Sequence, residues 1–344
     1  MLRRGAAATP EHGEESQQGG EARSPPSFAM LKLGVAITVA TLAILVAEFL
    51  RRHSRPLPAY GWLGLVALAA AEWLMFRGVE PVATYFTPIA WTAYILVADA
   101  AVLAIRDHSR LRNAPREFAQ VAVLSVPLWL VFEAYNLRLD NWTYTGLPLD
   151  WLASGIGYAW SFATITPAIF VTADLVESLG WFRQPARPLK FSPMAKRGSI
   201  ALGALLLTVP LAIPKHLAAH LFALVWLGFI FLLDPINHHL GLPSLVADLE
   251  QGRRGRLYSL LVSGWVCGWL WEFWNYWSSS KWHYVFPMFR QWKIFEMPAP
   301  GYLGFLPFAL ECFTMYVFAA GLLGWKPISP QEVDQRATRT AWSK

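Results

Sequence analysis

Two stretches of this chain carry the same set of groups suited to proton chemistry. From Phe132 to Tyr144 it reads FEAYNLRLDNWTY, and from Trp271 to Tyr284 it reads WEFWNYWSSSKWHY. In each, a glutamate follows an aromatic (Glu133, Glu272) and an asparagine stands three residues later (Asn136, Asn275). A W-x-Y element closes each set (Trp142 and Tyr144; Trp282 and Tyr284). A carboxyl kept from water favours its neutral form and can hand a proton to a bound molecule. Glu272 is the strongest such group, because Trp269, Trp271, Phe273, Trp274 and Trp277 surround it in sequence. Indole faces also suit a cation formed when an alkene takes up a proton. Glu311 ends MPAPGYLGFLPFALE, an irregular helix entrance of the kind tolerated at membrane depth only where it is packed or lines a cavity. The expected roles are Glu272 as proton donor and Glu311 or Glu133 as partner carboxylate. Trp271, Trp274, Trp282 and Tyr284, with Trp142, Tyr144 and Asn136 of the first copy, form the substrate wall, and Asn275 orients the acid.

Each of these groups also has a plainer reading. Glu133 can pair locally with Asn136 or Arg138. Many of the 18 tryptophans suit an interfacial belt, Trp142, Trp151, Trp282 and Trp292 above all. Two aspartates repeat as well: Trp91 precedes Asp99 as Trp226 precedes Asp234, at the same spacing. Asp99 lies close to water and reads as structural. Asp234 opens DPINHH and stands between capping and chemistry.

The elements that must position these groups are membrane-spanning helices. Hydrophobic residues make up 55% of the 344 and charged ones 15%, far from the balance of a soluble domain. Apolar runs long enough to cross about 30 Å of hydrocarbon fall at 31–50, 60–79, 84–105, 117–136, 151–175, 197–215, 217–238, 257–279 and 300–325. The expected fold is therefore an all-α polytopic bundle of about nine helices. With nine spans, 19 of the 29 Lys and Arg residues fall on the side that carries the C-terminus. The positive-inside rule then puts that end in the cytoplasm and the N-terminus outside, in a plasma (inner) membrane. The net charge of +6 is explained by this topology, and no soluble basic domain is left to grip nucleic acid.

The matched motifs are about 135 to 140 residues apart, a shift of four helices, so both copies face the same way. The expected organisation is a disordered tail at 1–30, too far from the first apolar run to read as a cleavable signal. Accessory helices follow at 31–83, then a first repeat at 84–180, a basic loop and accessory helix at 181–216, a second repeat at 217–325 and a cytoplasmic tail at 326–344. Cys267 and Cys312 both fall inside spans and imply no disulfide or metal site. His216 and His220 share a helix face but lie near the outer end, whereas Asp234, His238 and His239 lie near the inner one. No metal site is expected, and with neither a phosphate loop nor a dinucleotide fingerprint, no cofactor.

Three-span units with an acid, then W-x-Y, then a proline-led third span resemble the repeated membrane domain of the lycopene (carotenoid) cyclases. The residues that carry the resemblance are Glu133 with WTY at 142–144 and Glu272 with WHY at 282–284. The Pro-x-Glu-Glu hallmark of that family is absent. The resemblance implies an intramembrane enzyme that cyclises or isomerises an isoprenoid or other lipid by acid–base chemistry. A transporter, channel or scaffold is the competing expectation, since buried acids and broken helices also mark transport paths.

Overall fold

The computed structural model describes residues 25–289 and 291–325. The tails expected at 1–30 and 326–344 lie outside the described residues, apart from 25–30. The first helix begins within that remainder, where the Ser27 hydroxyl caps the Met30 amide.

The expected spans are helices with ends close to those read from the sequence. In chain order the helices are α1 (Phe28–Arg52), α2 (Ala59–Phe76), α3 (Phe86–Arg106), α4 (Arg110–Asn113), α5 (Pro115–Leu139) and α6 (Trp151–Ser178). Then come α7 (Pro193–Ala212), α8 (Lys215–Ala218), α9 (Phe222–His239), α10 (Leu245–Glu250), α11 (Gly255–Trp277) and α12 (Tyr302–Leu322). Eight of the described helices are long and apolar enough to cross a membrane, which makes this an all-α multi-pass membrane protein. The ninth expected span, α11, has the length at 23 residues. Its tryptophans, Arg256, Glu272 and Asn275 lower its mean hydropathy. It has less need of apolarity, because it packs among α6, α12 and α1. By contrast, α1 and α7 are mostly unburied and turn Val39, Ile44 and Leu205 outward, where lipid takes the place of core.

Local chemistry sets the breaks. Asp150 caps α6 by accepting from the Ala153 amide at 2.8 Å, and Ser192 caps α7 ahead of Pro193 at its first position. Pro214 separates α7 from α8.

The two halves repeat in detail. Asp99 accepts from the Ser109 hydroxyl at 2.7 Å and the Leu111 amide at 3.1 Å, pinning the start of α4. Asp234 accepts from the Leu245 and Val246 amides at 2.7 and 2.8 Å, pinning α10. Ser109 and Ser244 are the N-caps of those two short helices. Both aspartates are therefore helix anchors, and for Asp234 capping outweighs chemistry. The match also includes flanking helices: α2 lies along α3 as α7 lies along α9. The backbones of α7 and α9 touch closely at Gly203, where a Cβ would stand 2.3 Å from the Leu232 nitrogen. The halves thus correspond over four helices each, with α1 outside the pattern. The basic end is closed by polar anchors, chiefly the Arg110–Asp174 pair with contacts of 2.6 and 3.2 Å.

Candidate functional site

The W-x-Y elements form two short strands, β1 (Trp142–Thr145) and β2 (Lys281–Tyr284), at the end of the bundle opposite the Arg110–Asp174 pair. They pair with each other, antiparallel, with Trp142 opposite Tyr284, Thr143 opposite His283 and Tyr144 opposite Trp282. Equivalent residues of the two copies exchange places across this ladder, so it lies on a local two-fold axis. Both copies must then run in the same direction, as their even helix shift required.

Each asparagine holds its own strand. Asn136 Oδ1 accepts from the Asn141 and Trp142 amides at 2.8 and 3.1 Å, and its Nδ2 donates to the Trp142 carbonyl at 2.9 Å. Asn275 repeats this on Trp282, accepting at 3.0 Å and donating at 2.9 Å. Asn275 therefore orients the strand rather than the acid. Gly146 follows β1 with φ +69°, and a Cβ there would lie 2.1 Å from the Ser279 carbonyl oxygen, so the closure of the two loops demands glycine.

Each glutamate in turn holds its tyrosine. Glu133 Oε1 accepts from the Trp129 indole at 2.9 Å, the Trp142 indole at 3.2 Å and the Tyr144 hydroxyl. Glu272 Oε1 accepts from the Tyr284 hydroxyl at 3.0 Å. Its Oε2 is buried without a hydrogen bond, although the Met297 amide and the Trp282 indole approach the carboxyl. Glu133 thus gathers three hydrogen bonds on one oxygen, whereas Glu272 makes one, to Tyr284, with two further donors nearby. Burial, reinforced by the adjacent carboxyl, pushes both tyrosine hydroxyls well above the ordinary phenol range, so both stay protonated.

The two dyads back onto one cavity, whose empty space, open solvent included, is about 1110 Å³. Tyr144, Tyr284, Trp142, Trp271 and Trp282 line it. Nine further rings line it, among them Trp91, Trp226, Trp129 and Phe308. Signals for some of them existed. Trp91 and Trp226 are the duplicated tryptophans, and Trp129 stands four residues before Glu133, on the same helix face. The Trp91 indole nitrogen and the Thr87 hydroxyl reach the cavity region buried and without hydrogen-bond partners. Near the starts of α3 and α6 the lining residues Tyr85, Pro148 and Gly157 stay partly exposed.

Other expected residues lie elsewhere. Trp274 is behind the wall, edge-on to Trp91 at 5.0 Å, and donates to Glu72 of α2 at 3.1 Å. Glu72 was not foreseen, because nothing near it repeats. Glu311 lies one turn beyond Phe308, away from the cavity lining. It is fully buried where α12 meets α9, and neither oxygen makes a hydrogen bond, though the Phe229 amide approaches. None of the three glutamates lines the cavity itself: Glu133 and Glu272 stand one residue behind its wall, through Tyr144 and Tyr284, whereas Glu311 has no such link to a lining side chain.

The histidines serve as local partners. His238 meets Glu250 at 3.0 Å, and His220 contacts the His216 carbonyl at 3.0 Å at the opposite end. His283 bridges Thr145 and Glu296, at 3.0 Å each, beneath the strand pair. Among the described residues no group of three His, Cys, Asp or Glu is placed to hold a metal. No family model matches this chain, and neither a curated protein nor a solved structure does.

Proposed function

We propose that this protein binds an isoprenoid or other apolar lipid in the aromatic cavity and rearranges it by moving protons. One observation carries the reading: two pseudo-symmetric strands set a tyrosine hydroxyl at the wall of a single apolar cavity, each held from behind by a buried glutamate. The two carboxyls differ in their hydrogen bonds, and such pairs divide into acid and base.

Glu272 is the donor side. With the Tyr284 hydroxyl turned toward the lipid and the protonated Glu272 donating to the Tyr284 oxygen, the Glu272 proton passes to that oxygen while the Tyr284 hydroxyl proton goes to an alkene carbon of the lipid. The products are a carboxylate and a carbocation. Trp91, Trp129 and Trp271 face that cation. Loss of a neighbouring C–H proton through Tyr144 to Glu133 closes the step, giving an isomerised or cyclised lipid of unchanged mass. Proton return from Glu133 to Glu272 resets the pair, and no cofactor is consumed. The resemblance to lycopene cyclases supports the same class of reaction, and the missing Pro-x-Glu-Glu leaves the acids to Glu133 and Glu272. In the orientation set by basic loop charge, the end of the bundle that carries the cavity lies on the outer-leaflet side of the plasma membrane.

The test compares lipid extracts from cells that lack the gene and are complemented with wild type, Glu272→Gln or Tyr284→Phe at matched expression. A lipid of unchanged mass and shifted retention should appear with wild type alone. Identical lipid profiles in all three strains would refute the enzyme reading. A lipid that copurifies unaltered would instead mark a binding or carrier protein.

A further inference from the structure

A second cleft lies at the basic end of the bundle, across the helices from the aromatic cavity. Its empty space, open solvent included, is about 830 Å³, between the loop after α6 and the start of α11. The two loops are tied by backbone bonds, Ala186 to Gly252 at 2.9 Å and Leu189 to Leu249 at 3.0 Å. Four arginines line the cleft (Arg106, Arg183, Arg253, Arg254) against one acid, Glu177. Arg253 is paired with Asp248 at 2.7 Å, and Arg106 stands 3.8 Å from Glu177. Arg183 and Arg254 make no ion pair or side-chain hydrogen bond to any described residue, which leaves two cations at the rim unengaged.

Two features of α11 point into the same space. The helix starts at Gly255 with no side-chain cap, so its first amides lack partners and its positive dipole end opens on the cleft. One turn further on, Ser259 lines the cleft with its hydroxyl buried and without a hydrogen-bond partner, at 2% exposure. Buried hydroxyls are rarely left so. Uncapped amides, an unpartnered hydroxyl and free guanidinium groups together form a donor set with one kind of complement, a compact anion rich in oxygen.

We propose that this cleft binds the phosphate group of an anionic molecule. The α11 amides and Ser259 donate to its oxygens, and Arg183 and Arg254 close over it with charge-assisted hydrogen bonds. The phosphate belongs either to a phospholipid headgroup at the membrane surface or to a free phosphate compound. The site is separate from the proton chemistry proposed above and stands without it.

The experiment uses the full chain purified in detergent, with two probes. Inorganic phosphate is titrated by calorimetry. Retention of phosphatidylglycerol over phosphatidylcholine is read by native mass spectrometry. At least one probe should bind saturably, weaken about tenfold or more in R183A/R254A and by a few fold in S259A, as loss of charge-assisted and neutral bonds respectively requires. R187A/K190A, which removes two charges of the same loop outside the cleft, should bind as wild type does. Phosphate binding alone assigns a soluble ligand, and phosphatidylglycerol retention alone assigns a lipid. The proposal is overturned if neither probe binds, if R183A/R254A binds as tightly as wild type, or if R187A/K190A weakens binding equally.

Discussion

Replacing Glu133 by alanine should cost far more stability than replacing it by glutamine. Three donors converge on Glu133 Oε1, from Trp129, Trp142 and Tyr144. Alanine orphans all three. A buried donor left without a partner costs about 1–3 kcal/mol. Trp142 is 6% exposed and the Tyr144 hydroxyl is buried, so both bear most of that cost, whereas half-buried Trp129 recovers part of it from water. The sum is about 3–5 kcal/mol for Glu133→Ala. Glutamine keeps an acceptor oxygen in place and loses only the charge-assisted share, about 1–2 kcal/mol. Equilibrium unfolding in mixed detergent micelles, followed by loss of monomeric folded protein, measures both. Equal stability of Glu133→Ala and wild type would show that the three donors do not depend on this carboxyl, and the account of the site as a set of held tyrosines would fail. If the order holds, Glu133→Gln becomes the informative catalytic variant, folded but with a poorer proton acceptor.

Three further outcomes follow from the same geometry. Cysteines at the paired positions Thr143 and His283 should form a disulfide under mild oxidation, because directly opposed antiparallel residues lie within bridging distance. A mass-mapped digest that shows no 143–283 link would refute the register. The buried Arg110–Asp174 pair should cost about 3–5 kcal/mol when only Arg110 is replaced by alanine, and much less when an apolar pair replaces both; unfolding of the single and double variants decides this. Glu296 is pulled up by burial but held below the ordinary carboxyl range by His283, Lys293 and Lys281. Its contribution is therefore present above the unfolded carboxyl pKa of about 4.3 and lost as pH falls through the lower folded value. The stability gap between wild type and Glu296→Gln should be flat above about pH 5.5 and shrink below pH 4, and a gap that widens in acid would refute the pairing.

Run length and repetition made the architecture readable, and long-range pairing hid the site. The spans could be placed from apolar runs alone, α11 included despite its tryptophans. The correspondence of α2 with α7 left no motif, since lipid-facing helices need only apolar residues and a close-approach glycine such as Gly203. The β1–β2 ladder joins residues about 140 positions apart, and nothing local in WTYT or KWHY names its partner. Glu311 misled for a physical reason. A proline-led helix entrance signals backbone that needs packing or a cavity, and here packing answers it, while the cavity lies one turn away at Phe308.

The symmetry of that ladder bears on how the chain arose. A surface whose residues pair with their own equivalents is isologous, the geometry that two identical subunits use to form a closed dimer. A single four-helix ancestor could thus have met a second copy of itself through its W-x-Y strand, with both glutamates alike. Fusion into one polypeptide freed the two sides to diverge. The three hydrogen bonds of Glu133 against the one of Glu272 are what that freedom allows, a difference that no symmetric homodimer could hold.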